Sequence, residues 1–349
     1  MKFISMHNRR SFIQSAAKVI ALGPLAAATP HLVSSIVTPA ASAPATSGNA
    51  FAGKIKQIKA GELNVGYVDE GPRDGQTVLL LHGWPYDINS FAEVVPILNK
   101  KGYRTVVPYL RGYGTTEFLS EQTFHNGQQS VFAVDAIALL DALQIDQAIV
   151  AGFDWGARTA CILAALWPKR FKALVSVSGY LVGNQIVGKQ PLPPAAELQW
   201  WYQFYFATER GKVGYTKNTA AFAKLIWQQA SPTWKFDDAT FGITAAALNN
   251  PAHVDIVVHN YRWRMGIADG DTKYNDLEQQ LAAAPAITIP TITIEGDNNG
   301  APHPDATAYA AKFTGKYSHK VFKNTGHNPP QESPAAFAAA VIEVAGYVA

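Results

Sequence analysis

Gly152-Phe153-Asp154-Trp155-Gly156 stands between an apolar run, Ala148 to Ala151, and a helix-forming run, Arg158 to Leu166. A strand that bends into a helix through Gly-x-Asp-x-Gly raises its central side chain above a sheet, as a nucleophile elbow does. Glycines at 152 and 156 leave the room that such a turn needs. Asp154 is the side chain so raised. A carboxylate is already ionised at neutral pH and needs no base before it attacks. Attack on an ester would give an anhydride. Attack on a saturated carbon bearing a leaving group gives instead an alkyl ester, which water can cleave with help from a base. Epoxides and organic halides are the two substrate types that fit. The bland alternative is a turn with a helix-capping aspartate, and the flanking strand and helix weigh against it.

The base should be a histidine late in the chain, on a loop after the last strand. Of the nine histidines, His327 fits: Gly326-His327-Asn328-Pro329-Pro330-Gln331-Glu332 follows Val321-Phe322 and precedes the apolar run Ala335 to Val344. His303 and His319, near the same end, read as surface residues. An oxyanion on the ester calls for two N–H donors, one from the residue after the nucleophile and one from the loop after an early strand. Those are Trp155 and Trp84, the latter in His82-Gly83-Trp84-Pro85 directly after Leu79 to Leu81.

These groups can meet only if the elements between them form a sheet with its loops gathered at one end. Leu63 to Asp69, Thr77 to Leu81, Tyr103 to Pro108, Ala148 to Ala151 and Lys172 to Ser178 read as strands. Ser90 to Lys100, Val131 to Leu143 and Arg158 to Leu166, which alternate with them, read as helices. Continuous apolar strands alternating with helices imply an α/β fold, a mostly parallel sheet with helices on both faces. From Tyr180 to about Lys273 the texture changes to tryptophan- and tyrosine-rich helical patches, Ala195 to Ala207 and Thr219 to Gln229 among them, without sheet strands. Thr291 to Glu295 and Lys320 to Phe322 then resume the sheet. The expected organisation is a core over residues 50–180 and 274–349, interrupted by a helical cap over 181–273.

Lys and Arg number 29 against 26 Asp and Glu, a net charge of +3. Lys2, Arg9, Arg10 and Lys18 precede the first acid, Glu62, and without these four the balance is −1. The body of the chain thus lacks the positive excess that a nucleic-acid partner requires. Asn8-Arg9-Arg10-Ser11-Phe12-Ile13-Gln14, the apolar run Val19 to Ala28 and the small residues up to Gly48 have the order of an export signal, and the paired arginines resemble a twin-arginine one. Residues 1–45 are read as that signal, cleaved after Ala41 or Ala45, which implies a periplasmic or secreted protein. Gly23 and Pro24 interrupt the apolar run too early for a stable membrane span of about 20 residues. The single cysteine, Cys161, excludes an internal disulfide and reads as packing.

Taken in order, His82-Gly83-Trp84-Pro85, Leu110-Arg111-Gly112-Tyr113-Gly114, Gly152-Phe153-Asp154-Trp155-Gly156 and Gly326-His327-Asn328 resemble the α/β-hydrolase superfamily and, within it, the epoxide hydrolases, over roughly residues 55–349. The resemblance implies two cap tyrosines over the nucleophile, in Trp-Tyr and Tyr-Arg contexts. Trp201-Tyr202-Gln203 and Asn260-Tyr261-Arg262 look like them. The chemistry needs such groups, because an opening epoxide develops an alkoxide that must receive a hydrogen bond or a proton. Cap packing is the other reading of Tyr202 and Tyr261. The resemblance further implies an acid that orients His327 after Thr291 to Glu295, where the usual spacing lands on Asn299. Asp297 is the favoured acid, with Asn299 or Asp305 as alternatives. No metal or organic cofactor is implied, and the partners are a small apolar epoxide-type substrate and water. A haloalkane or haloacetate dehalogenase shares the first step. Trp84 and Trp155 depart from the residues typical of those two enzymes, while Arg158 matches a second carboxylate-binding arginine of the fluoroacetate enzymes. A non-catalytic binding protein of the same fold is the alternative of another class.

Overall fold

The computed structural model describes residues 34–37 and 49–348. The paired arginines, the apolar run after them and both cleavage positions lie outside the described residues. Among the described residues ten strands form one sheet: β1 (Ser34–Val37), β2 (Lys56–Ala60), β3 (Leu63–Glu70), β4 (Thr77–Leu81), β5 (Arg104–Pro108), β6 (Glu117–Phe118), β7 (Ala148–Gly152), β8 (Phe171–Val177), β9 (Thr291–Gly296) and β10 (Tyr317–Phe322). Their order is β1-β10-β9-β8-β7-β4-β5-β3-β2, with β6 paired to β3. From β1 to β5 in that order all neighbours are parallel, and β3 and β2 close the far edge antiparallel. Thr-Val-Leu-Leu-Leu in β4 and Ala-Ile-Val-Ala-Gly in β7 are buried at every position, because helices cover both faces.

Helix α1 (Val94–Lys100) packs with α13 (Pro334–Ala345), and α2 (Gln129–Ala142) with α3 (Trp155–Leu166). α3 and α13 both pack on β7 and β8 but not closely on each other, so they occupy opposite faces. From β4 the chain proceeds to β5 on one side, while β7 adds on the other. The order reverses between β4 and β7, and a crevice outside the carboxyl ends of the strands opens at such a point. Gly83-Trp84 follows β4 and Asp154 follows β7, so both loops border that crevice.

Between β8 and β9 lie helices α4 (Gln185–Gly188), α5 (Pro194–Gln199), α6 (Trp201–Ala207), α7 (Glu209–Ala230), α8 (Asp238–Ala247), α9 (His253–Arg264) and α10 (Asn275–Ala282). The expected helix over 195–207 is two helices broken at Trp200, and the one over 219–229 is the end of a 22-residue helix kinked at Asn218. α8 and α9 carry no clear apolar period. α9 buries His253 and Asn260 beside its aliphatic residues, which blurs the pattern that periodicity detects. An edge position likewise hid β2, whose Lys-Gln-Ile-Lys-Ala is mostly exposed. Lysines on an outer strand hinder pairing with other chains.

Candidate active site

Asp154 sits at the junction of β7 and α3 with φ +53° and ψ −123°, a strained conformation for a non-glycine residue and of the kind that clusters at functional sites. Space makes it possible. A Cβ on Gly156 would strike the Leu81 carbonyl of β4, and one on Gly83 would strike the Asp154 side chain itself. Oδ1 accepts the Trp84 N–H at 2.8 Å, and the Trp155 N–H favours the ionised carboxylate. Both backbone donors read from the sequence thus converge on the group they would serve. Oδ2 faces His327 Nε2 at 3.3 Å. Burial opposes the charge of Asp154, but the hydrogen bond and charge of His327, with the Trp155 and Trp84 N–H groups, outweigh it and lower the pKa.

His327 Nδ1 meets Asn299 Oδ1 at 3.1 Å, and Asn299 Nδ2 donates to Glu295 Oε1 at 2.8 Å. A carboxylate only accepts. Glu295 therefore claims the amide nitrogen of Asn299 and turns Oδ1 toward the imidazole. The proton is thereby fixed on Nδ1, and Nε2 is left to act as a base toward the Asp154 side. Burial disfavours the imidazolium, yet the hydrogen bond and charge of Asp154, followed by the charges of Glu295 and Glu332, raise the pKa of His327.

Asp297, the favoured orienting acid, does not take that position. It lies 3.5 Å from Lys323 Nζ and accepts the Thr325 N–H at 3.4 Å, beside the histidine loop rather than on the ring. Asp305 caps a short helix through Thr307. The loop after β9 presents position 299 to the ring, and the acid stands behind it, inside the strand. One signal was available: Glu295 is the lone charge in Thr-Ile-Thr-Ile-Glu-Gly, a stretch otherwise suited to burial. His319 also differs from its expected surface position, being buried in β10 with Nδ1 2.9 Å from Thr293 Oγ1. His303 is partly exposed and approaches Glu295 at 3.8 Å.

The histidine loop is fastened from two sides. Glu332, whose pKa burial raises despite these contacts, accepts the N–H groups of Gly326 (2.6 Å) and Asn328 (2.9 Å) and the hydroxyl of Ser231 (2.7 Å). Ser231, the residue that ends α7 in the cap, takes the His327 N–H at 2.9 Å. The sequence reading missed both Glu332 and Ser231. On the other side of the crevice the Trp84 indole N–H donates to the Tyr215 hydroxyl, which is 2.9 Å from His253 Nε2. His253 Nδ1 lies 2.9 Å from the Gly112 carbonyl. This buried chain ties the oxyanion loop to the cap and to the Arg-Gly-Tyr-Gly turn. His82, pushed down to about 4 by burial, accepts the Leu110 N–H and remains a neutral prop.

Tyr202 from α6 and Tyr261 from α9 line one pocket with Asp154, Trp84, Trp155 and His327. Their rings pack edge to face at 5.3 Å, each against the Trp84 indole. Burial, first of all, raises both phenol pKa values, so at neutral pH both keep their protons and can donate. Arg158 and Arg264 line the same pocket, which is less uniformly apolar than an apolar substrate would suggest. The Trp155 indole N–H is screened from water and faces the Tyr261 hydroxyl. Cys161 is buried against Ser176, in packing. Among the described residues, no cluster of three His, Cys, Asp or Glu side chains is arranged to hold a metal ion. No described helix is long and apolar enough to cross a membrane.

Residues 76–334 match the family described as alpha/beta hydrolase fold. A candidate epoxide hydrolase of known crystal structure from Klebsiella pneumoniae is 64% identical, with a TM-score of 0.84 over 85% of this chain and 99% of that one. Epoxide hydrolase B of Mycobacterium tuberculosis is 34% identical over 41% of this chain and 44% of its own length. A haloalkane dehalogenase of Psychrobacter cryohalolentis is 30% identical over 47% of this chain and 52% of its own. The chain therefore spans about half the length of these two curated relatives or less.

Proposed function

The chain belongs to the α/β-hydrolase fold family, and from that premise we propose that it opens epoxides to vicinal diols through an ester on Asp154. One observation carries this reading: two protonated phenols, Tyr202 and Tyr261, share a pocket with a carboxylate that accepts the Trp84 N–H and is paired with a histidine. Oδ2 of Asp154 attacks the less hindered ring carbon while Oδ1 stays on the Trp84 N–H. The C–O bond breaks with its electron pair moving to the ring oxygen, which takes a proton from a tyrosine. His327 Nε2 then removes a proton from water as the water adds to Cγ of Asp154, and the Trp84 and Trp155 N–H groups hold the resulting oxyanion. Collapse expels the alkoxide, which leaves as the diol. Asp154 is regenerated, and the two protons return to the tyrosine and the product. The sum is epoxide plus water.

In the ester the charge of Asp154 is gone. The main influence raising the His327 pKa then disappears, and the imidazole is released to its neutral form at the step that needs a base. Burial of the two phenols favours the epoxide over the halide, since a departing halide requires no proton. One observation favours a dehalogenase as the second reading: the 30% identity to a haloalkane dehalogenase over 47% of this chain.

The His327→Gln variant tests the scheme. Incubated with styrene oxide, it should accumulate an adduct of the epoxide's mass on the peptide that holds Asp154, and the native protein should release the diol. An adduct from an alkyl halide with free halide, and none from epoxides, would favour the second reading. No adduct from either would sink the covalent mechanism.

A further inference from the structure

Arg158, in the first turn of α3, follows the elbow by four residues and lines the same pocket as Asp154. Arg264 ends α9 and reaches the same pocket from the cap. Elsewhere the fold answers its enclosed guanidinium groups: Arg111 is held by both oxygens of Asp135, and Arg104 by both of Asp69. Among the described residues, neither Arg158 nor Arg264 forms such a pair. Arg264 rests over the rings of Tyr261 (5.4 Å) and Trp200 (5.8 Å). Arg158 donates Nη1 to the Leu181 carbonyl at 2.8 Å, while its Nε is screened from water and has no partner.

Burial and the like charge of Arg264 push Arg158 down to about 9, against the pull of Asp154. Placing two cations around one cavity without an anion between them is costly. Asp154 cannot fill that role, because Trp84, Trp155 and His327 already engage it and it must stay free to attack. A planar carboxylate fits the need, since a guanidinium presents parallel N–H groups to its two oxygens. We infer that Arg158 and Arg264 form a carboxylate subsite, and that the substrate is an oxirane carboxylic acid whose anionic group stands close to the ring. The reacting group in this statement rests on the epoxide reading above; the anion does not. The aromatic walls given by Trp84, Trp155 and Trp200 suit an apolar substituent on the same molecule.

The test uses the full chain and separates the two claims. Calorimetry would compare phenylacetate with phenylacetamide, unreactive probes that differ in charge. Turnover to diol would compare 3-phenyloxirane-2-carboxylate with its primary amide. The acid of each pair should be favoured about tenfold or more, the scale of a charge-assisted bidentate contact. Arg264→Gln and Arg158→Gln should each reduce that ratio toward one, and Arg264→Lys should restore part of it. Arg264 sits at the end of a helix and is partly exposed, so its variants carry the test even if Arg158→Gln does not fold. Equal binding of the two probes overturns the subsite even if both epoxides are hydrolysed. A preference for phenylacetate that the variants erase, without diol formation from either epoxide, upholds the subsite and overturns the epoxide reading.

Discussion

Glu295 touches neither the nucleophile nor the imidazole, yet it settles which imidazole nitrogen can accept a proton. Its carboxylate, 8% exposed, fixes the amide of Asn299, and Asn299 fixes the ring. Glu295→Gln would offer an amide in place of an acceptor-only group, free the Asn299 side chain to rotate, and remove one of the charges that raise the His327 pKa. Two effects should follow. kcat should fall about tenfold or more, short of the ~10⁴-fold loss seen when a carboxylate bonded directly to a catalytic histidine is replaced. Because neutral His327 is the active base, a lower pKa should also move the acid limb of the kcat–pH profile to lower pH. A loss of activity with the limb unmoved would reduce Glu295 to a packing role. Asp154, His327, Trp84 and Trp155 are expected from the loops and turns that hold them and both tyrosines from the family resemblance, and the structure gathers all six around one pocket. Glu295 and Arg264 were not expected, since Glu295 acts only through the amide of Asn299, and Arg264 reaches the pocket from a cap whose shape no local pattern encodes.

At the scale of the element, the elbow works because β4, β7 and α3 approach more closely than side chains allow. Gly156→Ala would drive a methyl group into the Leu81 carbonyl. Backbone on both sides leaves little room to yield, so stability should drop by about 1–3 kcal/mol, the range for overpacked cores. Urea unfolding would measure this, and an unchanged midpoint would refute the close approach. The central parallel strands β4, β7 and β8 were readable because burial on both faces leaves a nearly unbroken apolar run. Helices of the cap were harder to read. α9 spends buried positions on His253, which anchors Tyr215 and Gly112, and on Asn260, which donates to the Gly127 carbonyl. Polar residues employed inward look, in the sequence, like residues facing water.

For the molecule as a whole, β1 raises the question of which chain acts in the cell. Ser34–Val37 adds to the outer edge of β10, four strands from β7, and precedes both positions where the export signal is read to end. We propose that export removes it. The periplasmic or secreted form should then begin after Ala41 or Ala45 by N-terminal sequencing, and Arg9→Lys with Arg10→Lys should hold the full-length chain in the cytoplasm. A mature terminus ahead of Ser34 would mean that the strand is kept.

The Ser231 clasp bears on how ligands come and go. Of the residues around the pocket, Gln199 and Gln229 are exposed, and Gln229 stands two positions before the serine that grips the histidine loop. The doorway is thus hung beside the bolt that seats the imidazole. An outward shift of this end of α7 would break the Ser231 contact to the His327 N–H, so the imidazole keeps its seat only while the Gln229 jamb stays still.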